Sequence, residues 1–402
     1  MKGFFIQEVN MNGFLFIRGL ILAIIFLVPI STVFSYFGIS GVILSVCLFC
    51  IYLLFSGSIS AELTYGLIVL MVIVLFSMIP IFYHSDVSRM TYLLPFIVSF
   101  LMVFFVPDHD LNAFAEISTS IMVLFLLGAI FGFFWVIVGG SSLADFTNPD
   151  GRVVYVFPFT LSNSYWGDFI RASSIYDEPG ALSFFVCALV TVRHILGFCE
   201  KKSFILLILG LVTLSLAHIV FLVFYVLSMQ ERIKYIWIST VSLFFLICII
   251  YFLGVFDIFY NVFLIRFEIT DYSLHGDNRT DSLIRVFEYL STDLEAIFMG
   301  QSSYFLQNPF SYFDKVGGGY EVGANPLNLI SKFGIFGAFA YIYIVISLVF
   351  SWQLGRRWLA VFAFVLLMLQ RDYIFVVSYS FAMVMVFRIV MLKVKSHDVV
   401  HS

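Results

Sequence analysis

Long apolar runs separated by short polar connections account for most of this chain. The runs cover residues 14–30, 39–55, 61–82, 90–106, 116–139, 179–198, 234–254, 326–351, 357–370 and 373–391. Most come close to the roughly 20 mostly apolar residues that a helix needs to cross the hydrocarbon core of a bilayer. Because backbone polar groups in lipid must bond to one another, the pattern predicts transmembrane helices rather than irregular chain.

One further run, 203–229, is flanked by basic residues at both ends. Lys201 and Lys202 precede it, and Arg232 follows it. Lys and Arg favour the cytoplasmic side of a membrane, so we expect this run to begin and end on that side. It would then form two short helices that meet near 215–218. Counted as two crossings, it gives 12 passes with both termini inside, and counted as one it gives 11.

Composition supports the same class of protein. Hydrophobic residues make up 62% of the 402 residues and charged residues 11%, whereas an ordinary soluble chain is about 45–50% apolar. So few charges exclude a sizeable cytosolic domain and a nucleic-acid-binding surface. We therefore expect an all-α, polytopic integral membrane protein in which residues 1–402 form a single transmembrane domain. The five cysteines suggest neither a disulfide framework nor a metal site.

A connection on the predicted inner side runs against the charge pattern. Between the runs 90–106 and 116–139 stand Asp108, Asp110 and Glu116, and no Lys or Arg accompanies them. Acidic residues weigh little in the orientation rule, so the predicted topology stands.

Two long polar connections, 140–178 and 254–325, face the outer (periplasmic) side in this topology. Nine of the 21 basic residues fall on that side: Arg89, Arg152, Arg171, Arg266, Arg279, Arg285, Lys315, Lys332 and Arg371. Arginine presents a planar fork of donors that suits phosphate oxygens, and it keeps its charge where water is scarce. The outer arginines are therefore candidates for binding a diphosphate. The alternative is that each pairs with a nearby carboxylate and only stabilises its loop.

The sharpest local motif is Arg171 followed by Glu178-Pro179-Gly180 at the start of an apolar run. Proline is favoured in the first turn of a helix, so Glu178 is expected at the outer N-terminus of that helix. There it would either cap the helix, since the helix dipole favours a carboxylate, or act as a general base toward a sugar hydroxyl. Arg171 would bind phosphate beside it.

Further candidates lie in the second long connection. Apolar positions around Arg279 and Arg285 follow helical spacing, which predicts an amphipathic helix on the outer surface with Arg279 near its start. A glycine-rich segment, 317–328, comes next, and without a following Lys and Ser or Thr it is not a nucleotide-binding P-loop. It carries three candidate substrate-binding residues: Tyr320, Glu321 and Asn325.

A last candidate stands between the final two runs. Arg371 and Asp372 separate these runs at their outer ends. Either the two side chains pair with each other, or Arg371 contributes to an anion site.

With these motifs the chain resembles the O-antigen polymerase (Wzy) family of bacterial inner-membrane proteins and, more distantly, the O-antigen ligases. The likeness extends over the architecture, with about a dozen spans, a large outer loop late in the chain and a smaller one before it. The family's arginine followed by acid-Pro-Gly is carried by Arg171 and Glu178. Its arginine-rich helix with an apolar-Gly step is carried by Arg279, Arg285, Phe287 and Gly300, and its polar loop before a Gly-x-x-Gly start by Asn325 and Gly334-Ile-Phe-Gly337.

The resemblance implies a glycosyltransferase of lipopolysaccharide biosynthesis that joins undecaprenyl-diphosphate-linked oligosaccharide repeat units at the periplasmic face of the inner membrane. A hydroxyl of the incoming unit would attack the anomeric carbon of the growing chain, and undecaprenyl diphosphate would leave. The implied partners are the lipid-linked glycan as donor and acceptor, the bilayer, and a Wzz-like protein that regulates chain length. Neither a metal nor a cofactor is implied.

The resemblance also implies roles for single residues. Catalytic roles fall to Arg171 and Arg279, which would neutralise charge on the leaving diphosphate, and to Glu178 as the general base, with Glu321 as the alternative base. The diphosphate-binding set is Arg171, Arg279, Arg285 and Arg371, and the substrate-binding set is Tyr320, Glu321 and Asn325.

Other functions fit parts of the pattern. Ligases place a His-Asn pair before a late span, whereas Gly323-Ala324-Asn325 stands near that place here, which argues against a ligase. Another surface-polysaccharide polymerase would share the architecture. The alternative from a different class is a lipid-linked oligosaccharide flippase or other transporter, but such proteins commonly contain internal repeats, and no obvious repeat is present in this sequence.

Overall fold

Helices dominate the chain in the computed structural model. The structure describes residues 13–58, 60, 63–148, 152–165, 169–229, 232–252, 254, 256–257, 260, 269–270, 273–274, 287, 294–301, 328–368 and 375–401. Within these ranges five helices are long and apolar enough to cross a membrane: Leu63–Tyr83, Val87–Phe105, Asp108–Ile137, Pro179–Leu196 and Val377–Lys395. Together with the 62% hydrophobic composition, they indicate a helical membrane protein, as the sequence predicts.

Most α-helices follow the apolar runs. The first seven are α1 Gly13–Leu27, α2 Thr32–Tyr36, α3 Gly41–Phe55, α4 Leu63–Tyr83, α5 Met90–Phe105, α6 Asp108–Ile137 and α7 Pro179–Leu196. The others are α8 Glu200–Gly210, α9 Leu216–Ser228, α10 Arg232–Phe252, α11 Leu294–Met299, α12 Asn328–Ser351, α13 Trp358–Met368 and α14 Val377–His401. Of these, α2 and α11 are short helices outside the apolar runs. Short 3-10 helices cover Val87–Arg89, Leu211–Thr213 and Trp352–Arg357.

The predicted and observed starts differ most at α6. This helix begins at Asp108 instead of at residue 116, and it is 30 residues long. At 1.5 Å per residue it measures about 45 Å, which exceeds the roughly 30 Å hydrocarbon core of a bilayer. Its acidic first turns can therefore be helical without lying in the apolar layer.

A small antiparallel sheet was not predicted and occupies the first long connection. Its strands β1 Ala144–Thr147, β2 Val153–Phe157 and β3 Thr160–Ser162 lie in that order. Two further strands, β4 Ile269–Thr270 and β5 Ser273–Leu274, form a separate pair. The turn between β2 and β3 lies against α6 at Gly132, where an added Cβ would come within 2.1 Å of Thr160 Cγ2. Absence of a side chain there allows the sheet to contact the helix closely.

The predicted division of run 203–229 into two short helices is confirmed. α8 and α9 have 11 and 13 residues, and the chain reverses between them at 211–215. This lies slightly before the predicted position at 215–218. Leu214 adopts the left-handed conformation there (φ 47°), which ends the 3-10 turn and lets α9 begin.

Contacts between helices define two ends of the bundle. The connection from α5 to α6 brings Asp108, Asp110 and Glu116 to one end, which we name the carboxylate end. The other end of α6 leads to the sheet and to the start of α7, and we name it the sheet end. α1 joins both, because Arg18 near its start lies 3.3 Å from Asp110, while Leu27 at its end accepts a hydrogen bond from Tyr176, next to α7.

The three acids at the carboxylate end are paired with bases from other helices. The pairs are Asp108 with Arg388 (2.7 Å), Asp110 with Arg18 (3.3 Å), and Glu116 with Arg193 (3.5 Å) and Lys202 (3.8 Å). Asp110 also accepts a hydrogen bond from Tyr52 Oη at 2.6 Å. The acids that run against the predicted charge pattern are therefore counter-charges for basic residues distant in sequence.

The centre of the bundle is formed by α7 and α14. Their apolar stretches are 89% and 83% buried inside the protein, compared with 33% for α4 and for α6. Aromatic rings join the two helices: Phe185 and Tyr379 stack with centroids 5.2 Å apart. The chain segment immediately before α7 is therefore attached to the most enclosed helix of the molecule.

Candidate functional site

Side-chain hydroxyls hold the segment between β3 and α7, which carries both Arg171 and Glu178. Ser162 Oγ donates to the backbone carbonyl of Arg171 at 2.8 Å. Ser173 Oγ donates to the carbonyl of Leu161 at 2.6 Å. Because these bonds tie the segment to β3, the positions of Arg171 and Glu178 are set by the sheet that the sequence pattern did not predict.

Tyr176 anchors the same segment to α1. Its hydroxyl donates to the carbonyl of Leu27 at 3.0 Å, and its ring stacks on Phe185 with centroids 5.2 Å apart. Burial raises the pKa of Tyr176 well above its ordinary value, because the phenolate would lose its hydration. The hydroxyl therefore stays protonated and remains a donor.

Arg171 contacts the reversal between α8 and α9. Its Nε donates to the carbonyl of Thr213 at 3.3 Å and its Nη2 to the carbonyl of Leu214 at 3.2 Å. Carbonyl oxygens at the end of a helical segment lack intrahelical donors, so they are available to an arginine fork. A carbonyl carries no formal charge, so these two bonds hold the half-buried guanidinium without cancelling its charge.

A buried histidine, His218, packs against the reversal between α8 and α9. His218 Nε2 lies 2.8 Å from the carbonyl of Leu207, and because a carbonyl can only accept, Nε2 carries the proton. Its Nδ1 is then the acceptor for Ser183 Oγ at 3.2 Å. An added Cβ at Gly210 would lie 2.4 Å from the imidazole, so the ring fits closely between α7, α8 and α9. We assign His218 a structural role in fixing the carbonyls that Arg171 binds.

Glu178 is the N-cap residue of α7, but its side chain does not cap the helix. It forms a short ion pair with Arg152, which stands just before β2. Its neighbour Asp177 accepts a hydrogen bond from Asn148 Nδ2 at 2.9 Å. The Glu178 side chain therefore makes no capping hydrogen bond to α7, and its ion pair with Arg152 holds it to the sheet instead. The sequence pattern places Arg152 among the outer basic residues but does not predict it as a site residue.

Two glycines of the resemblance motifs meet at the sheet end. Gly300 has φ +77°, and an added Cβ there would lie 2.6 Å from the carbonyl oxygen of Lys332. Gly334 has φ +59° and interrupts α12, and an added Cβ there would lie 2.1 Å from the carbonyl oxygen of Phe298. Positive φ and backbone contact at both positions explain why glycine stands there. The two motifs, distant in sequence, thus form one backbone crossing.

Arg89 ties this crossing to the start of α5. Its side chain is fully buried. One guanidinium nitrogen donates to the carbonyl of Lys332 at 2.6 Å, the other forms a short bond with the carbonyl of Gln301, and Nε lies 3.5 Å from Asp86. The Lys332 ammonium lies 3.5 Å from the centroid of the Tyr92 ring, a cation–π contact.

The structure describes four of the nine basic residues predicted on the outer side, and it brings all four to the sheet end: Arg89, Arg152, Arg171 and Lys332. The remaining predicted site residues lie outside the described residues: Arg279, Arg285, Arg371, Tyr320, Glu321 and Asn325. Arg152 and Arg89 were not predicted as site residues. No sequence signal joins Arg152 to Glu178, because they are 26 positions apart and only the sheet brings them together.

The fold and this arrangement define a helical membrane protein whose four described outer basic residues lie together at the sheet end. Comparison with models of known protein families, with curated proteins and with solved structures finds no match to this chain.

Proposed function

We propose that this chain is an O-antigen polymerase, a multi-pass enzyme of the bacterial inner membrane. It joins undecaprenyl-diphosphate-linked repeat units, with the sheet end at the periplasmic face and the carboxylate end at the cytoplasmic face. The motif resemblance supports this function. The observation that carries most weight is the setting of Arg171, a half-buried guanidinium whose fork is oriented by the carbonyls of Thr213 and Leu214. A cation fixed in this way is suited to a diphosphate.

The reaction is the transfer of a glycan from one lipid carrier to another. A hydroxyl oxygen of the incoming repeat unit attacks the anomeric carbon of the growing chain and forms the new glycosidic bond. The bond from that carbon to the diphosphate oxygen breaks, and undecaprenyl diphosphate leaves with the electron pair. The hydroxyl proton passes to Glu178. Arg171 stabilises the charge that develops on the diphosphate, and this lowers the barrier because that charge is larger in the transition state than in the bound substrate.

The ion pair of Glu178 with Arg152 bears on this role. A carboxylate beside a guanidinium is a weaker base than an isolated one, since the positive charge favours the ionised form. The Arg152 side chain is 48% exposed, and a diphosphate carries more negative charge than the carboxylate. The substrate would therefore compete for Arg152 and release Glu178 for proton transfer when the donor is bound.

The decisive experiment is polymerisation by purified protein. Wild-type protein incubated with lipid-linked repeat units should give a ladder of products on a gel. Arg171→Ala should abolish the ladder. Arg171→Lys retains the charge but lacks the planar fork, so it should retain only a small part of the rate. The matched control is Arg356→Ala, which removes an exposed arginine at the carboxylate end and should leave the ladder unchanged.

Protein recovery separates a catalytic loss from a folding loss. All variants should elute as monodisperse protein with the wild-type circular dichroism spectrum. A folded Arg171→Ala protein that still builds full-length ladders would overturn the role of Arg171. Wild-type protein that transfers glycan only to a lipid A core acceptor would indicate a ligase, and movement of lipid-linked units across vesicles without ladder formation would indicate a flippase.

A further inference from the structure

An open groove lies between α8 and α10 at the carboxylate end. Its volume is about 330 Å³. The rings of Phe204 and Tyr235 form its floor: they are almost completely buried, and their centroids are 4.8 Å apart. Ile205 and Ile238 form its walls and are substantially exposed. The groove is therefore an apolar trough between α8 and α10 that opens on the lateral surface of the bundle.

Two lysines stand at one end of this groove. Lys201 lies in the first turn of α8 and Lys234 in the first turn of α10, and both side chains are exposed. From Lys201 the apolar lining continues along one face of α8 as far as Leu209, which is about 12 Å at 1.5 Å per residue. Charge is thus confined to one end of the groove, and the rest is apolar.

We infer that this groove binds an anionic phospholipid, with the headgroup phosphate between Lys201 and Lys234 and an acyl chain along the rings of Phe204 and Tyr235. Two positive charges and the positive ends of two helix dipoles favour a phosphate at that place. The apolar trough beyond them suits a hydrocarbon chain and offers nothing to a free anion. A zwitterionic lipid gains less, because its own cation opposes the lysines. This inference is independent of the proposed polymerase activity.

The test is lipid binding measured by native mass spectrometry. The full chain is purified in detergent, stripped of lipid, and titrated with dioleoyl phosphatidylglycerol or with dioleoyl phosphatidylcholine. Wild-type protein should bind the anionic lipid more tightly. Each basic residue near a lipid headgroup contributes on the order of a fivefold change in affinity, so Lys201→Gln and Lys234→Gln should each weaken binding about fivefold and the double variant about 25-fold.

Two further variants separate the charge from the groove. Lys395→Gln removes a lysine of α14, which lies over the ring of Tyr65 at the same end of the bundle, and it should leave binding unchanged. Ile205→Trp narrows the groove without changing charge and should weaken binding of the lipid. An equal affinity of wild-type protein for both lipids would overturn the inference, and so would an unchanged preference in the double lysine variant.

Discussion

Buried or half-buried arginines occur at both ends of the bundle, but the groups that surround them differ. At the carboxylate end, Arg193 lies 3.5 Å from Glu116 and Arg388 lies 2.7 Å from Asp108. At the sheet end, Arg89 donates to the backbone carbonyl of Lys332 at 2.6 Å, and Arg171 binds two backbone carbonyls in the same manner. Carboxylates from one connection pair with arginines of distant helices at the first end. At the second end backbone carbonyls hold Arg171, and they hold Arg89 together with Asp86.

This difference separates a structural use of arginine from one suited to binding. A buried guanidinium paired with a carboxylate leaves little charge for a ligand, and its main effect is on stability. A guanidinium bonded to carbonyls is oriented by the fold, and those bonds do not remove its charge. Variants at the carboxylate end should therefore affect folding, and Arg171 variants should affect activity.

The largest effect is expected for Arg193→Met. Arg193 is completely buried, and besides Glu116 it bonds Thr119 Oγ1 at 2.7 Å and Ser203 Oγ at 3.1 Å. Methionine retains much of the volume but removes the charge and these bonds. Loss of one partner from a fully buried ion pair costs about 3–5 kcal/mol. Glu116 is 26% exposed and keeps Lys202 as a partner, so we expect the lower end of this range, about 3 kcal/mol. Denaturant titration of the purified protein should show an unfolding free energy lower by this amount.

A double variant tests whether the loss comes from unpaired charge. Glu116→Gln combined with Arg193→Met removes both members of the pair. The loss of unfolding free energy in this double variant should therefore be smaller than the sum of the losses in the two single variants. Additive losses would mean that the ion pair between Glu116 and Arg193 is not the source of the lost stability. An Arg193→Met protein as stable as wild type would contradict the structural role of the carboxylate end.

The apolar pattern predicts the helices well because a helix that crosses a bilayer is one continuous apolar stretch of the sequence. It predicts the start of α7 at Pro179 and the two short helices within 203–229. It misses the partners of Asp110 and Glu116, because those come from helices distant in sequence. It also misses β1–β3, since short strands in a polar connection lack a repeating apolar signal and depend on packing against α6.

The candidate site shows the same division. The motif around Arg171 and Glu178 is visible in the sequence because its residues are close together. The roles of Arg152 and Arg89 depend on contacts between residues 26 and 243 positions apart. The sequence pattern around these residues does not mark them as partners. Gly300 and Gly334 stand in motifs that the sequence shows, but their mutual contact follows only from the path of the backbone.

An intermediate effect is expected at the backbone crossing of the sheet end. Gly334→Ala introduces a Cβ that would lie 2.1 Å from the carbonyl oxygen of Phe298, at φ +59°. The matched control is Gly355→Ala, where φ is +61° and an added Cβ meets nothing within 4 Å. The ψ angles are −156° at Gly334 and −137° at Gly355, so both variants place alanine in a backbone region that is essentially restricted to glycine, at a cost of about 1–3 kcal/mol. Only Gly334→Ala also displaces backbone.

The difference between these two glycine variants isolates the close contact. Overpacking typically costs about 1–3 kcal/mol, so Gly334→Ala should unfold more easily than Gly355→Ala by that amount. Hydrogen exchange at residues 294–301 should also become faster in Gly334→Ala alone, because α11 packs on this part of α12. Equal stability and equal exchange in the two variants would show that the crossing does not constrain the sheet end.

The smallest effect is expected for Lys202→Gln, which acts on the same carboxylate as Arg193. Lys202 Nζ lies 3.8 Å from Glu116 Oε2, and its side chain is 63% exposed. Water screens such a pair, and exposed ion pairs contribute about 0–1 kcal/mol. Denaturant titration should therefore show a loss several times smaller than that of Arg193→Met, and the loss should shrink further in high salt. A loss as large as that of Arg193→Met, or one unaffected by salt, would mean that the exposed Lys202 stabilises the protein through Glu116 as much as the buried Arg193 does. The contribution of an ion pair at this end would then not depend on its burial.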